Sequence, residues 1–343
     1  MRHFLNALFV TSQDVYLALD GENVVVRREK EAVGRFPLHN LEAIVCFSYA
    51  GASPALMGAC VKRDIDLSFC TPNGKFLART AGVANGNVLL RREQYRAADD
   101  PERSGRIAKN MIWGKLYNCR RSIERTKRDH GLRIDEDKFR NASAAIYNLM
   151  QQTSETVAAD SLRGLEGAAA TIYFDVFDDM ILRNKAAFRF GGRNRRPPTD
   201  PINAMLSFTY SLLASNCASA LESVGLDAYV GFLHRDRPGR TSLALDAMEE
   251  LRPCFADRFV LTVINNNVMQ ADDFESAENG AVTMTEDGRR KLLKCWQERK
   301  QDVITHPYLG EKIAWGLVPY VQALLLARYL RGDLDAYPPF LWK

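Results

Sequence analysis

The spacing of apolar residues changes once along this chain of 343 residues, near residues 80–88. Before the change, short runs rich in β-branched and aromatic residues are separated by turn signals such as Asp20-Gly21. These runs include Ala7–Thr11, Tyr16–Leu19 and Leu41–Phe47. After it, apolar residues recur at helical spacing. The pattern therefore predicts an α+β fold, in which a small β-rich N-terminal domain is followed by a larger all-α domain.

This change divides the chain into three predicted parts. Residues 1–80 form the β-rich domain, residues 81–98 the linker and residues 99–343 the helical domain. The linker begins with the small, glycine-rich segment Ala81–Asn87, AGVANGN. One helix, Pro54–Lys62, is predicted within the β-rich domain, with Ser53 as its cap. The helices predicted after the linker span Arg103–Arg128, Lys138–Met150, Ser154–Ile181, Pro201–Glu222 and Glu311–Leu330.

Composition and charge narrow the class of protein less than the apolar pattern does. The chain has 46 lysines and arginines against 42 aspartates and glutamates, a net charge of +4, so any nucleic-acid site has to be argued from clusters of basic residues. The N-terminal apolar stretch is too short for a signal peptide, and Gln322 and Arg328 interrupt the apolar run Gly316–Leu330. The seven cysteines show no C-x-x-C spacing. We therefore expect a cytoplasmic protein with reduced thiols and no membrane partner.

The segment Gly231–Pro253, GFLHRDRPGRTSLALDAMEELRP, carries half of a candidate site. An apolar run leads to His234, a charged loop follows, and a predicted helix then carries Asp246 and Glu249 on one narrow stripe. Carboxylates with apolar neighbours, on a helix that begins just after a histidine, are typical of half of a metal site. From these residues alone, an ordinary loop histidine and a solvated helix face remain the alternative.

Glu166 supplies the second half of the candidate site. It lies four residues after Leu162, on the predicted inward face of its helix. A carboxylate that faces the core costs several kcal/mol unless it is paired or ligates a cation. Gly164 and Gly167 lower the helix propensity beside it, which indicates close approach by another helix or by a substrate. The alternative is a buried glutamate paired with Arg163 or another arginine.

Taken together, Glu166, His234, Asp246 and Glu249 are a more specific signal than any one of them. Hard oxygen ligands with one imidazole suit Mg²⁺ or Mn²⁺, whereas zinc sites more often use several histidines or cysteines. The chain has five histidines and lacks H-E-x-x-H, P-loop and G-x-S-x-G motifs. These four are therefore the candidate catalytic residues, and Mg²⁺ or Mn²⁺ is the candidate cofactor.

A basic segment, RNKAAFRFGGRNRR at positions 183–196, follows the predicted helix of Glu166. Its six basic residues are Arg183, Lys185, Arg189, Arg193, Arg195 and Arg196. Phe188 and Phe190 are interleaved with them. A flexible arginine loop with aromatic side chains suits phosphate contacts and base stacking, so we predict that these six residues bind nucleic acid. A solvated surface is the alternative.

Four segments, in this order, resemble the CRISPR-associated spacer-acquisition integrase, the universal first Cas nuclease. They are LRGLEGAAATIYF, RRPPTDPINAMLSFTYSLL, GFLHRDRPGRTSLALDAMEELRP, and the closing THPYLGEK with LLARYLRGDLDAYPPFLWK. The resemblance covers essentially the whole chain and implies a β domain joined to a helical catalytic domain. In that family a glutamate, a histidine and an acidic residue bind the divalent metal. The resemblance thus implies Glu166, His234 and Glu249 as metal ligands. Some members of the family have aspartate at the position of Glu249. Asp246 matches a further acidic position of the family.

The same resemblance implies the partners. It implies a homodimer joined through the β-rich domain of residues 1–80, and a heterohexamer in which two such dimers bracket a dimer of the small second Cas protein. Double-stranded DNA, as captured fragment and as CRISPR repeat, is the implied substrate, and an end-trimming Cas nuclease is a further candidate partner. The ending YPPFLWK resembles members of subtype I-C.

The implied reaction inserts captured DNA fragments, the spacers, into the CRISPR repeat array. The 3′-hydroxyl of a fragment attacks a phosphodiester of the repeat in one transesterification, and with water as nucleophile the same site would cut branched DNA. Two alternatives stay open: a stand-alone structure-specific DNA nuclease, and a non-catalytic DNA-binding scaffold whose acidic cluster is structural.

Overall fold

A small β-rich region and a larger, mostly helical domain make up the protein, which confirms the predicted α+β class. The computed structural model describes residues 7–10, 12, 14–29, 31–41, 43–63, 65–71, 76–80, 88–194 and 196–343. Within those residues no helix is long and apolar enough to cross a bilayer.

Two sheets and one helix form the β-rich region. The first sheet is antiparallel, in the order β2 (Val15–Asp20), β3 (Asn23–Arg28) and β4 (Glu31–Pro37). The second has the order β1 (Ala7–Val10), β5 (Ala43–Cys46), β6 (Asp66–Cys70) and β7 (Phe76–Arg79), with only the last strand antiparallel to its neighbour. Helix α1 (Pro54–Lys62) lies between β5 and β6, and its bounds agree with the prediction. The Ser53 hydroxyl accepts a hydrogen bond from the Leu56 N–H, as an N-cap does.

The sheet that contains β5 joins the two parts of the protein. Residues on one face, such as Ile44, pack with Leu17 and Leu56 in the core of the β-rich region. Residues on the other face, Val45 and Phe47, belong to the core of the helical domain. The Phe47 ring stacks on a helical-domain phenylalanine, Phe208, at a centroid distance of 5.7 Å. Alternate strand residues thus serve different cores, because successive side chains point to opposite faces.

Helix α3 is the central element of the helical domain. It is 30 residues long and packs against α4, α5 and α7. The helices of this domain are α2 (Val88–Asp99), α3 (Pro101–His130), α4 (Glu136–Ser154), α5 (Ala159–Asp175), α6 (Pro201–Ser223), α7 (Ser242–Glu249), α8 (Arg258–Asn265), α9 (Glu286–Gln301) and α10 (Val318–Leu330). The predicted helix 154–181 is divided, since α4 runs to Ser154 and α5 covers only the middle of that range.

The described part of this domain also contains two short β-hairpins. It is therefore mostly helical, whereas the sequence predicted an all-α domain. The hairpins pair β8 (Phe274–Ser276) with β9 (Val282–Met284), and β10 (Val303–Thr305) with β11 (Lys312–Ala314). The helix predicted from Glu311 therefore begins at Val318, because Lys312–Ala314 pair as a strand and Trp315–Leu317 form a 3-10 turn. Six of the seven cysteines are buried, which agrees with the prediction of mostly buried thiols, and Cys295 is partly exposed.

The predicted linker 81–98 is wrong from Val88 onward, because residues 88–99 form α2. Leu90, Gln94 and Ala97 are buried at helical spacing. The Gln94 side chain donates to the carbonyls of Asp227 and Val230, at 2.8 and 2.9 Å. This part of the chain therefore packs against the segment that leads into the candidate site. The glycine-rich residues 81–87 lie outside the described residues.

Candidate active site

Helix α3 carries a polar stripe that faces residues 231–257. The Ser104 hydroxyl donates to the carbonyl of Phe232 at 2.8 Å, and the Asn118 amide donates to the carbonyl of Glu250 at 2.7 Å. These bonds fix the loop before α7 and the end of α7 on the same helix. The backbone that carries the predicted site residues is therefore positioned by α3.

Lys115 projects from the middle of this stripe and forms the centre of the site. Its side chain is 7% exposed, and its Nζ donates to Glu166 on α5 and, at 2.6 Å, to Glu249 on α7. Burial alone would lower the pKa of Lys115, but the charges of Glu249 and Glu166 outweigh burial and raise the pKa. One ammonium thus holds two carboxylates from two different helices.

Glu249 is buried and has a second cationic partner, Arg252. The guanidinium of Arg252 lies 2.8 Å from Oε1 of Glu249, while Lys115 contacts Oε2. Burial would raise the pKa of Glu249, but the charges of Arg252 and Lys115 prevail and hold the pKa at about 2. Glu249 is therefore ionised at neutral pH.

Asp246 is fully buried and organises the loop that carries His234. Its Oδ2 accepts the N–H groups of Phe232 and Leu233 at 2.6 and 2.9 Å. Its Oδ1 accepts the N–H of His234 at 3.0 Å and lies 2.5 Å from the Nδ1 of the same residue. The prediction had grouped Asp246 with the catalytic residues. Its carboxylate faces the loop backbone, so its geometry is that of a positioning residue.

The predicted site residues are therefore brought together, with different exposures. The Glu166 side chain is 26% exposed and that of His234 22%, whereas Glu249 is 3% exposed. With Nδ1 on Asp246, the Nε2 of His234 points toward Glu249, 4.0 Å from Oε1. An imidazole held in this way by a carboxylate has a defined ring orientation. The arrangement is an acidic centre with one oriented histidine and a buried lysine.

The sequence left two questions open about Glu166: whether it pairs with Arg163, and what approaches Gly164 and Gly167 beside it. Arg163 pairs with Asp160 and donates to the Leu233 carbonyl, so it is not the partner of Glu166. A Cβ added at Gly167 or Gly164 would meet no atom within 4 Å. These glycines do not accommodate a neighbouring helix. They leave the surface beside Glu166 open.

A cleft of about 770 Å³ extends from Lys115 and Glu166 along α5. The cleft is also lined by Tyr210, whose ring lies near the guanidiniums of Arg193 and Arg252, 5.3 and 5.0 Å from its centroid. The Tyr210 hydroxyl donates to Asp257 at 2.6 Å, and burial raises the pKa of that aspartate to about 6. The cleft thus brings two arginines close to the acidic centre, and Arg252 contacts Glu249 directly.

The basic residues of the predicted DNA-binding loop differ in how exposed they are and in whether they have partners within the protein. Arg183, Arg189 and Arg196 are exposed. Lys185 pairs with Asp178 at 2.7 Å. Arg193 points inward and donates to side chains of α6, at 2.6 Å to Asn203 and 3.1 Å to Ser207. Arg195 lies outside the described residues.

The two phenylalanines of this loop are not available for base stacking. Phe188 is 0% and Phe190 7% exposed. Phe190 packs on Phe177 with ring centroids 5.1 Å apart, and Phe188 meets Phe274 edge to face. The prediction that they stack on bases is therefore wrong. They anchor the loop in the helical core, because burying an aromatic ring removes a large apolar area from water.

Glu250, next to Glu249, ties the C-terminal tail to the site. It accepts hydrogen bonds from the Tyr337 hydroxyl, the Gln322 amide and the Phe340 N–H, at 2.6, 2.8 and 2.9 Å. Burial raises the pKa of Glu250 to about 7, against these hydrogen bonds. Two neighbouring carboxylates at the C-terminal end of α7 thus have different contacts: Glu249 belongs to the acidic centre, and Glu250 binds the C-terminal tail.

Sequence reasoning missed Lys115 and Arg252. Lys115 lies four residues after buried Met111 and three before buried Asn118, a spacing that places it on the inner face of α3. Arg252 lies three residues after Glu249, within reach on the same helical path. Both signals were present in the spacing, but each side chain by itself looks like an ordinary surface cation.

Comparison with known proteins identifies relatives along the full length of the chain. The family model for CRISPR associated protein Cas1 matches residues 8–298. A CRISPR-associated endonuclease Cas1 of Chlorobaculum tepidum is 46% identical over 343 residues, and one of Rhodospirillum rubrum is 48% identical over 347; each alignment covers all of both chains. A Cas4 exonuclease/Cas1 endonuclease fusion of Geobacter sulfurreducens is 35% identical, over 98% of this chain and 60% of the fusion.

Solved structures with low sequence identity share the fold. A casposase bound to its integration product superposes with a TM-score of 0.84 at 24% identity, over 98% of this chain and 94% of that chain. A chain of a Cas6-RT-Cas1–Cas2 complex gives a TM-score of 0.82 at 20% identity, over 98% of this chain and 36% of that chain. Fold and relatives together define an enzyme, of the class of CRISPR-associated endonucleases. The chain belongs to the Cas1 family.

Proposed function

We propose that the protein inserts captured DNA fragments into CRISPR repeats by metal-assisted phosphodiester transesterification, with Mg²⁺ or Mn²⁺. The observation that carries this proposal is the convergence of Glu166 and Glu249 on one buried cation position beside an oriented His234. The fold shared with a casposase bound to its integration product supports strand transfer as the reaction.

The donor set fits a hard divalent cation. Glu166 and Glu249 offer carboxylate oxygens, and His234 offers Nε2 because Asp246 takes Nδ1. Among the described residues no three His, Cys, Asp or Glu side chains lie close enough to hold a metal as they stand. The Lys115 ammonium occupies the place between the two carboxylates. We propose that Glu166, His234 and Glu249 are the metal ligands once this ammonium has moved.

The reaction exchanges one phosphodiester for another. The 3′-hydroxyl of the fragment attacks a repeat phosphorus; a new P–O bond forms, and the bond to the repeat 3′-oxygen breaks. A bound divalent ion would stabilise charge on the attacking and leaving oxygens. Arg193 and Arg252, fixed in the cleft by hydrogen bonds, supply positive charge for a phosphate. All described cysteines except the partly exposed Cys295 are buried, and we assign no protein nucleophile.

DNA outside the cleft would be held by the exposed arginines of the loop. We expect Arg183→Ala, Arg189→Ala and Arg196→Ala, combined, to reduce the slope of log affinity against log salt by about one unit for each lost phosphate contact. These three are exposed, whereas Arg193 is anchored within the protein. Fluorescence anisotropy across a salt series measures the slope.

A matched control is Arg290→Ala. Arg290 is also exposed, but it pairs with Glu286 on its own helix, so the slope should not change. An unaltered slope in the triple variant would show that this loop does not contact phosphates.

Relatives suggest the protein partners. A Cas4 exonuclease fused to a Cas1 endonuclease, and a complex that contains Cas1 and Cas2, support an end-trimming nuclease and a dimer of the small second Cas protein as partners here. We propose the heterohexamer on that ground. Cysteines that are mostly buried and show no C-x-x-C spacing agree with a cytoplasmic setting. Assignment to subtype I-C rests on the ending YPPFLWK alone and stays a prediction.

We expect the protein to form a homodimer through its β-rich region. Strand β4 is the outer strand of its sheet and is exposed on both faces, with Val33 53% and Phe36 38% exposed. The outer edge of such a strand presents backbone N–H and C=O groups that can pair with another chain. Light scattering at micromolar concentration should give a dimer mass, also when Glu166 is changed to alanine. A monomer mass would contradict the proposal.

One assay separates the proposed function from its two rivals. Labelled duplex DNA with free 3′-hydroxyl ends is incubated with a supercoiled plasmid that carries a CRISPR repeat, in Mn²⁺ or Mg²⁺. We expect joined product; a stand-alone nuclease would give only cut DNA, and a scaffold only a bound complex. Duplex with 3′-dideoxy ends is the control, since it lacks the attacking hydroxyl and should give no joined product.

A further inference from the structure

The Lys115 ammonium forms ion pairs with carboxylates on two different helices. It is nearly buried and connects α5 to α7 through its contacts with Glu166 and Glu249. Among the contacts of the described residues, Arg252 forms an ion pair with Glu249 but none with Glu166. Lys115 is therefore the cation that bridges these two carboxylates.

Two carboxylates held close together by one cation repel each other once it is removed, and this repulsion is stronger where one of them, here Glu249, is shielded from water. The Glu249 side chain is only 3% exposed, so little water reaches its carboxylate, whose two oxygens contact Lys115 and Arg252. Removing the ammonium would leave Glu166 and Glu249 facing each other without a shared counter-charge. A cation at this point is therefore part of what keeps α5 and α7 in place.

We infer that Lys115 is a built-in counter-cation, which holds Glu166 and Glu249 together before a divalent ion binds and has to be displaced when the ion enters. This inference rests on the proposed function. It makes Lys115 a positioning residue that competes for the same oxygens. The side chain at position 115 would accordingly set how tightly the protein binds Mn²⁺ or Mg²⁺.

The cleft provides a place for the displaced ammonium. Lys115 lines the cleft together with Tyr173 and Asp257. The Tyr173 hydroxyl is buried and has no hydrogen-bond partner among the described residues. The carboxylate of Asp257 is a second acceptor there. A flexible four-carbon side chain can turn toward such acceptors, whereas the planar fork of an arginine is more constrained.

The test measures metal binding rather than DNA joining. Lys115→Met should bind Mn²⁺ about tenfold more tightly than the unaltered protein, because coupling of this kind between two ligands commonly amounts to about 5–150-fold. Electron paramagnetic resonance of free Mn²⁺ gives the affinity. With chelator present, Lys115→Met should melt at a lower temperature than the unaltered protein, and added Mn²⁺ should raise its melting temperature more.

Lys138→Met is the matched control. Lys138 also contacts two carboxylates, Asp175 and Asp179, but its side chain is partly exposed and does not line the cleft. The Lys138→Met variant should therefore bind Mn²⁺ with the same affinity as the unaltered protein. Should Lys115→Met not fold, Lys115→Gln replaces it in the same comparison, since it removes the charge but keeps a polar end.

The outcomes separate this inference from the proposed function. Equal or weaker Mn²⁺ binding in the Lys115 variants than in the unaltered protein overturns the inference while leaving the metal site intact. Unchanged Mn²⁺ binding in Glu249→Ala, or no binding by any of these proteins, overturns the metal site itself and the inference with it. Tighter binding that is specific to position 115 supports the displaced counter-cation.

Discussion

His234→Ala and Glu166→Ala should each reduce strand transfer by about a thousandfold or more, with folding and DNA affinity nearly unchanged. Losing a ligand removes several kcal/mol of charge stabilisation in the transition state, and each ~1.4 kcal/mol is a factor of ten in rate. Both side chains are partly exposed, at 22% and 26%, so their removal leaves no large cavity in the core. DNA affinity should persist because it depends mainly on arginines.

Glu249→Ala should abolish strand transfer as well, but it should also destabilise the protein. Its carboxylate neutralises Lys115 and Arg252, which are both largely buried. Breaking a buried ion pair by removing one partner costs about 3–5 kcal/mol, because a charge is left without compensation. Thermal melts should therefore separate Glu249→Ala from the other two variants, although all three lose activity.

The experiment compares the variants in Mn²⁺ and in Mg²⁺, with melts and DNA binding measured on the same preparations. His130→Ala and Glu155→Ala are suitable controls, since both residues are exposed and lie outside the site. Strand transfer near the unaltered rate in His234→Ala, or activity of the unaltered protein in excess chelator, would contradict the assignment of the metal ligands.

Local features of the fold could be predicted because their cause is local. Ser53 and Pro54 begin α1, and Asp200 and Pro201 begin α6, with the serine and aspartate oxygens bonded to backbone N–H groups. Such caps depend only on the next three residues. By contrast, the β10–β11 hairpin depends on pairing between Val303–Thr305 and a later segment, so the sequence favoured a longer α10.

The candidate site was predictable in its acidic and imidazole groups but not in its cations. Glu166, His234 and Glu249 lie within motifs, whereas Lys115 lies in a long helix rich in basic residues. Its burial follows from the spacing with Met111 and Asn118. Its partners follow only from how α5 and α7 cross α3, which is a property of tertiary packing that no local pattern specifies.

The different roles of Asp246 and Glu249 were also beyond the sequence. Both lie on one stripe of α7 and both are buried, so spacing treats them alike. They differ because the loop before α7 folds back over the first turns of that helix, where Asp246 meets three backbone N–H groups. The same tertiary cause places Phe188 and Phe190 in the core rather than beside DNA.

Asp246→Ala should lower the free energy of unfolding by several kcal/mol. It should also reduce the rate of strand transfer by a larger factor than the loss of a residue that only orients a metal ligand. Loss of a residue that only orients a metal ligand typically costs about 10–100-fold. Here the carboxylate also accepts three backbone N–H groups as well as the His234 ring. Hydrogen bonds to a charged group contribute about 1.5–3 kcal/mol each, and buried donors without a partner add a further cost.

The matched control for Asp246→Ala is Ser242→Ala. Ser242 is buried on the same face of α7, and its hydroxyl donates to the Arg235 carbonyl at 3.2 Å. This substitution should cost about 1 kcal/mol. Asp246→Asn keeps the shape but replaces one acceptor oxygen with a donor, so it should lie between the two in stability. Chemical denaturation measures the stabilities. If Asp246→Ala unfolds at the same denaturant concentration as Ser242→Ala, the loop does not depend on this carboxylate, and Asp246 has to act in the reaction through His234 alone.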